Sequence, residues 1–277
     1  MPLPCMKPTG KPGAKSCDTL FVQFSVFASI PGFHHALSTR HGGVSQGEFD
    51  SLNLAFHVGD EAELVRDNRR SWARQVGFAA DHLVAAQQTH GVNIRVVLPE
   101  DSGRGALGWD AALPDCDALV THEKKVPVLI LVADCAPLLL VDPTERVCAV
   151  VHAGWRGALA GIAGKTVETM RSEWGTNPRD VLAAIGPCLS LENLEVSEEV
   201  AAVVEAKDSN SVIRASEWAK PHLDLRGLIQ GDLVEAGVSR SNIEVSPFCP
   251  KERSDLFFSH RGQNGRAGRF GIVAWWE

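Results

Sequence analysis

The chain has 277 residues, 44% of them hydrophobic and 22% charged, enough apolar material for a packed core, which excludes a disordered or fibrous architecture. A formal net charge of −7 with no clustered Lys/Arg surface excludes a general nucleic-acid binder, because phosphate neutralisation needs one. Seven cysteines without regular spacing, in a chain too large to need covalent staples, point to a reducing cytoplasmic setting rather than a disulfide framework.

Residues 1–20 are rich in Pro, Gly and Lys, lack the apolar centre of a secretory signal, and are expected to be a flexible tail ahead of one domain over 21–277. The run FVQFSVFASIPGF that follows is too short and too polar to span a membrane. From His34 to Asp60 the chain is dense in Gly, Ser, Asn and His and reads as long irregular structure, a kind of segment that often carries function. Glu61 to Gly77 predicts a helix with Leu64, Arg69 and Trp72 as neighbours and Gly77 as its stop. Strand signals follow at LVAAQQTH, NIRVVLP, DALVT, PVLILVA, PLLLVDP and RVCAVVH, punctuated by Gly, Asp and Pro. Ala158 to Trp174 predicts a helix with Leu159, Ile162, Val167, Met170 and Trp174 on one stripe, stopped by Gly175. A strand at VLAAIGP, helices at SEEVAAVVEA and DLRGLIQGDLVEAG, and strands at NIEVSPF and FGIVAWWE complete the pattern. The fold class this implies is α/β (α+β), a single domain built as a layered sandwich of mixed β-sheet and helices.

Asp134 and Cys135 interrupt the apolar run VLILVADCAPLLLVDP, an unusual place for an acid and a thiol. Two more apolar segments end in a metal-ligand residue: LVAAQQTH in His90 and VCAVVH in His152. Adjacent strand ends in one sheet lie about 5 Å apart, so three such ends can converge on one ion. Two imidazoles and a thiolate suit Zn²⁺, and three protein ligands leave a fourth position open, the catalytic rather than the structural pattern. Arg40 in TRHGGVS and Arg156 at the helix entrance HAGWRG are candidate anion binders, because a guanidinium beside a helix N-terminus holds oxyanions well. Cys188 reads as a buried inert thiol and Trp155 as a packing anchor.

The motifs QTHGVNI, ADCAPLLLVDP, HAGWRGALAGI and AAIGPC, with GGVSQGEFDSLNLAFHVGD, VRDNRR, DALVT and FFSHRG…GRFGIVAW, run in one order over about Phe33 to Trp275. Together they resemble the family of zinc-dependent purine nucleoside phosphorylases formerly described as multicopper polyphenol oxidases or laccase-domain proteins. The resemblance implies one zinc per chain on His90, Cys135 and His152, with Asp134 shaping the turn or supporting the ligands. It further implies phosphorolysis of adenosine, inosine, guanosine and methylthioadenosine with phosphate as co-substrate, and deamination of adenosine. Arg40, Asn53, His57, Gln88 and Arg261 fall on family motifs and are expected to contact substrate, with Arg156 assisting catalysis. Two positions depart from the family pattern. Leu194 precedes Glu195 where Tyr-Glu-Val is common, and Gly262 stands where a second Arg often follows.

Copper laccase chemistry is a poor match. It needs about ten His ligands, mostly in H-x-H pairs, whereas this chain has ten His in all and no H-x-H. The alternatives are a zinc amidase or hydrolase editing peptidoglycan precursors, and a non-enzymatic zinc-binding protein in which Cys116 or Cys148 closes the site. The expected partners are small-molecule purine nucleosides and phosphate, with no nucleic acid, membrane or obligate protein partner.

Overall fold

The computed structural model describes residues 5–8 and 20–277. Fourteen strands are described: β1 (Cys5–Pro8), β2 (Leu20–Gln23), β3 (Phe33–Ser38), β4 (Val84–Ala85), β5 (Ile94–Val96), β6 (Ala118–Thr121), β7 (Val128–Val132), β8 (Ala136–Asp142), β9 (Val147–Ala153), β10 (Leu182–Ile185), β11 (Val212–Ile213), β12 (His222–Leu223), β13 (Ile243–Val245) and β14 (Phe270–Trp276). The helices are α1 (Ala62–Val76), α2 (Trp155–Leu159), α3 (Ile162–Trp174), α4 (Glu198–Glu205) and α5 (Leu225–Glu235). Within the segment read as a tail, β1 pairs antiparallel with β2. The rest of that reading lies outside the described residues.

The strands form two six-stranded sheets, in the orders β1-β2-β3-β14-β7-β4 and β13-β10-β8-β9-β6-β5, beside a small β11–β12 ribbon. Side chains alternate across a strand, so each strand sorts its residues between two layers. On β7, Val128, Ile130 and Val132 meet Leu139 and Val141 of β8 and Val150 of β9 in a core between the sheets. Leu129 and Leu131 of β7 face the other way, onto Trp72 and Ala73 of α1. On β8 and β9, Leu138, Leu140, Ala149 and Val151 face Ile162, Val167, Met170, Leu228 and Ile229 from α3 and α5. The result is four layers, helix–sheet–sheet–helix. It accounts for the unbroken apolar text of VLILV and APLLLV, since every residue of β7 and β8 is buried.

Several expectations shift in detail. Residues 33–38, taken mostly as loop, form β3 beside β14, because its residues lie buried between β2 and β14 rather than in solvent. On α1 the buried face is Val65, Arg69 and Trp72 rather than Leu64, and Gly77 ends the helix in the left-handed conformation at φ 102°. The helix predicted from Ala158 starts earlier, at Trp155, and breaks at Ala160–Gly161, with Gly161 at φ 79°. There Asp232 of α5 accepts a hydrogen bond from the Gly164 N–H at 2.9 Å and caps the new start.

Two chain crossings between the sheets set up the site. β4 and β7 are parallel neighbours in the first sheet, so their C-terminal ends emerge on the same side. The chain leaves β4 through residues 86–93 to β5, and leaves β7 through Ala133–Cys135 to β8, both in the second sheet. β9 runs antiparallel to β8 and brings His152 opposite Pro137, at the start of β8. Cys135 and His152 thus meet at neighbouring strand ends of the second sheet, as expected, while His90 joins them from the crossing between β4 and β5.

Candidate metal centre and its cavity

The ligand atoms of His90, Cys135 and His152 lie within 4.8 Å of one another. Among the described residues this is the group of His, Cys and acidic side chains placed to share an ion. Tetrahedral zinc bonds of about 2.0–2.3 Å put neighbouring donors roughly 3.5 Å apart, so a small contraction closes the shell. The two imidazoles stand nearly perpendicular, with ring centroids 4.6 Å apart. His90 and Asp134 hold the left-handed backbone, at φ 62° and 89°. Each such residue costs on the order of 1 kcal/mol or more and persists where its surroundings dictate it. Gly154 lies directly behind the cluster: a β-carbon there would come within 3.1 Å of Cys135 Sγ and 3.2 Å of the His90 ring. The turn after His152 therefore runs close against two ligands only because it carries no side chain.

Asp117, which the sequence reading left unassigned, organises the cluster. Its carboxylate is fully buried and accepts hydrogen bonds from His152 Nδ1 at 2.7 Å, His90 N–H at 3.0 Å and Gly91 N–H at 2.7 Å. A histidine ligand with its other ring nitrogen on a carboxylate is fixed in tautomer and orientation, which leaves His152 Nε2 for the ion. Burial works against the Asp117 charge, but the His152 hydrogen bond and charge and the backbone donors outweigh it and hold its pKa near 2. Burial likewise opposes the Cys135 thiolate. The His152 charge and hydrogen bonds from both imidazoles prevail, and the thiol falls to about 6. On His152 itself burial is overcome by the Cys135 thiolate and the Asp117 hydrogen bond, and its pKa rises to about 9.

Neither thiol considered as a fourth ligand joins the cluster. Burial pushes both Cys116 and Cys148 up to about 12, and Cys148 points into the core between the sheets. Cys188 is also buried, its thiol raised to about 11 by desolvation against the opposing effect of Arg226.

The cluster opens on a cavity of about 420 Å³, within the range of small-molecule sites. Of the residues expected to contact substrate, His57, Gln88 and Arg261 line it. His57 stays open to the cavity beside Trp109, with ring centroids 4.4 Å apart. Desolvation first, then the charges of Arg269 and Arg69, push its pKa down to about 4. Gln88 is committed to the wall: its amide donates to the Leu131 carbonyl at 2.7 Å and accepts from the Leu131 N–H at 2.9 Å.

Arg40, Asn53 and Arg156 are not among the lining residues. Arg40 serves its own loop, donating to the carbonyls of Asp50 and Ser254 and lying over the Phe258 ring. Arg156 is exposed and stacks on Trp155 at 4.5 Å. Asn53 is fully buried and braces backbone, accepting from the N–H groups of Ala55 and Arg269. That last contact supports a cavity residue the sequence reading left unassigned. Arg269, in GRFGIVAW, lines the cavity with Nη1 held by the carbonyls of Ala267 and Gly268. Burial lowers its pKa against the raising influence of Asp134 and Cys135. Asp134 accepts from Ser259 Oγ at 2.7 Å and Arg261 N–H at 2.6 Å, which ties the metal turn to the loop carrying His260 and Arg261.

Three donors that could share a metal ion, at one cavity of a two-sheet α/β sandwich, make a candidate metal centre in reach of small molecules. Residues 34–277 match the family model described as multi-copper polyphenol oxidoreductase laccase, and the chain belongs to that family. It is 36% identical over 242 residues to the purine nucleoside phosphorylase YlmD of Bacillus subtilis, covering 87% of this chain and 86% of that protein. It is 37% identical over 241 residues to the adenosine deaminase RL5 of an unknown prokaryotic organism, covering 84% of this chain and 90% of that protein. The crystal structure of YlmD from Geobacillus stearothermophilus superimposes with a TM-score of 0.86 at 31% identity, over 98% of this chain and all of the other. Among the described residues no helix is long and apolar enough to cross a membrane.

Proposed function

We propose that the chain is a zinc-dependent purine nucleoside phosphorylase with accompanying adenosine deaminase activity. The observation that carries this is the open three-donor cluster in a cavity with one cationic and one apolar lining. Zinc held by His90, Cys135 and His152 would act as a Lewis acid and lower the pKa of a bound water towards about 7. In phosphorolysis a phosphate oxygen bonds to the ribose C1′ while the bond from C1′ to the purine nitrogen breaks, and the purine leaves with a proton. Arg269 supplies the positive charge that holds a phosphate in the cavity. His57, neutral at physiological pH, offers the nucleoside a hydrogen bond without adding charge beside a metal. Leu189, Leu194 and Leu225, with Trp155, continue the helical core into the cavity as an apolar wall for the nucleoside.

Incubation of zinc-loaded protein with adenosine, with and without phosphate, tests the proposal directly. Adenine and ribose 1-phosphate are expected only with phosphate, and inosine in both arms. Equal release of adenine without phosphate would make the protein a nucleoside hydrolase and remove the role of Arg269.

Zinc uptake should also depend on pH. His152 keeps its proton up to about 9 and Cys135 loses its proton near 6, so at neutral pH the ion must displace the His152 proton. Apparent affinity is expected to climb about tenfold per pH unit between about 6 and 9, more steeply below, and to level off above. Calorimetry in buffers of different ionisation enthalpy reads that proton directly, and a flat affinity profile would contradict it.

A further inference from the structure

We infer that Arg261 is a positioning residue, a latch that holds Leu194 in the cavity wall, and not a ligand for phosphate or nucleoside. The guanidinium Nη1 donates to the carbonyl of Asn193 at 2.9 Å and to that of Glu195 at 3.1 Å, straddling Leu194. The Arg261 backbone N–H donates to Asp134 Oδ2, next to the ligand Cys135. One residue therefore joins the 193–195 strap to the metal turn. On its other side the strap is tied to the 221–223 segment, through Val196 N–H to the Pro221 carbonyl and Leu223 N–H to the Leu194 carbonyl. Glu252 adds side-chain contacts to Ser190 and Asn193. The metal turn is reached from this loop by the Leu189 N–H, which donates to the Asp134 carbonyl at 3.0 Å, and from residues 193–195 through Arg261. Leu194 is buried and lines the cavity, so the latched side chain sets the size and polarity of that wall.

The inference rests on the nucleoside reading of the cavity, and its test separates the two. Arg261→Ala is expected to raise the nucleoside KM about tenfold, with the phosphate KM and zinc content unchanged, because the backbone bond to Asp134 survives. Arg261→Lys is expected to restore most of the loss, since a single nitrogen serves both carbonyls. Leu194→Ala should raise the nucleoside KM as well, and the double variant should be no worse than Arg261→Ala alone. Amide exchange over residues 191–196 should quicken in Arg261→Ala without any substrate present. A selective rise in phosphate KM, failure of Lys to rescue, or additive effects with unchanged exchange would each show direct substrate contact and overturn the latch. If the wild type turned over no nucleoside, the functional reading would fall while the exchange measurement still decided the latch.

Discussion

Cys135→Ser is expected to lower zinc content and both nucleoside activities by orders of magnitude while leaving circular dichroism close to wild type. A neutral hydroxyl replaces a soft anionic ligand, and its proton is not lost near neutral pH. The fold should persist because Cys135 sits in the crossing from β7 to β8 and packs only against the edge of the core between the sheets. Cys188→Ser is the matched control. Its sulfur already receives Arg226 Nε at 3.5 Å, so a hydroxyl there keeps a donor and the stability cost stays at about 1 kcal/mol. Activity per zinc-loaded molecule should be kept. Zinc retained with turnover abolished in Cys188→Ser would mean that Cys188 attacks substrate, and would overturn the metal-centred reading.

The second large effect is expected at Asp117. Asp117→Asn keeps the shape but offers an NH₂ where His152 Nδ1 or a backbone N–H needs an acceptor. Zinc affinity should fall about 10–100-fold, and the folded state should lose on the order of 3 kcal/mol from buried donors left unpaired. The effect should itself depend on pH. The folded-state pKa of Asp117 is depressed to about 2, so its contribution is complete above the unfolded value near about 4 and disappears as pH falls through 2. Denaturant titrations of wild type and variant should differ most at neutral pH and converge in acid. A constant gap across that range would mean that the charge of Asp117 does not stabilise the fold.

The fate of individual residues shows where sequence reading reached and where it stopped. His90, Cys135 and His152 stood out because a reactive side chain ending or interrupting an apolar run conflicts with simple core packing. Asp117 has the same signature, an acid at the head of the apolar segment DALVT, but an acid before a strand is also common turn chemistry. Arg40 was read as an anion binder and Asn53 fell on a family motif, yet polar residues in a long loop are first needed by that loop's own backbone, and both are used in that way. Arg269 stood in plain view within an apolar strand motif. Its placement depends on Asn53 bracing its N–H at 2.9 Å, a contact across 216 positions that no local pattern encodes.

Composition and periodicity were sufficient to determine an α/β sandwich with its principal strands and helices, and the family resemblance picked out three candidate metal ligands that the fold brings together. The elements follow from local rules: side-chain alternation on strands and apolar stripes on helices. Only the tertiary structure decided that the apolar strands divide into two sheets, because residues buried on both faces look alike whichever sheet they join. It likewise decided that His90 joins Cys135 and His152 from the crossing between β4 and β5, that Asp117 orients the ligands, and that Arg269 lines the cavity while Arg40 and Arg156 do not. Each of these depends on which distant segments the packed layers bring into contact, and hydrogen-bond partners far apart in the chain leave no spacing to read.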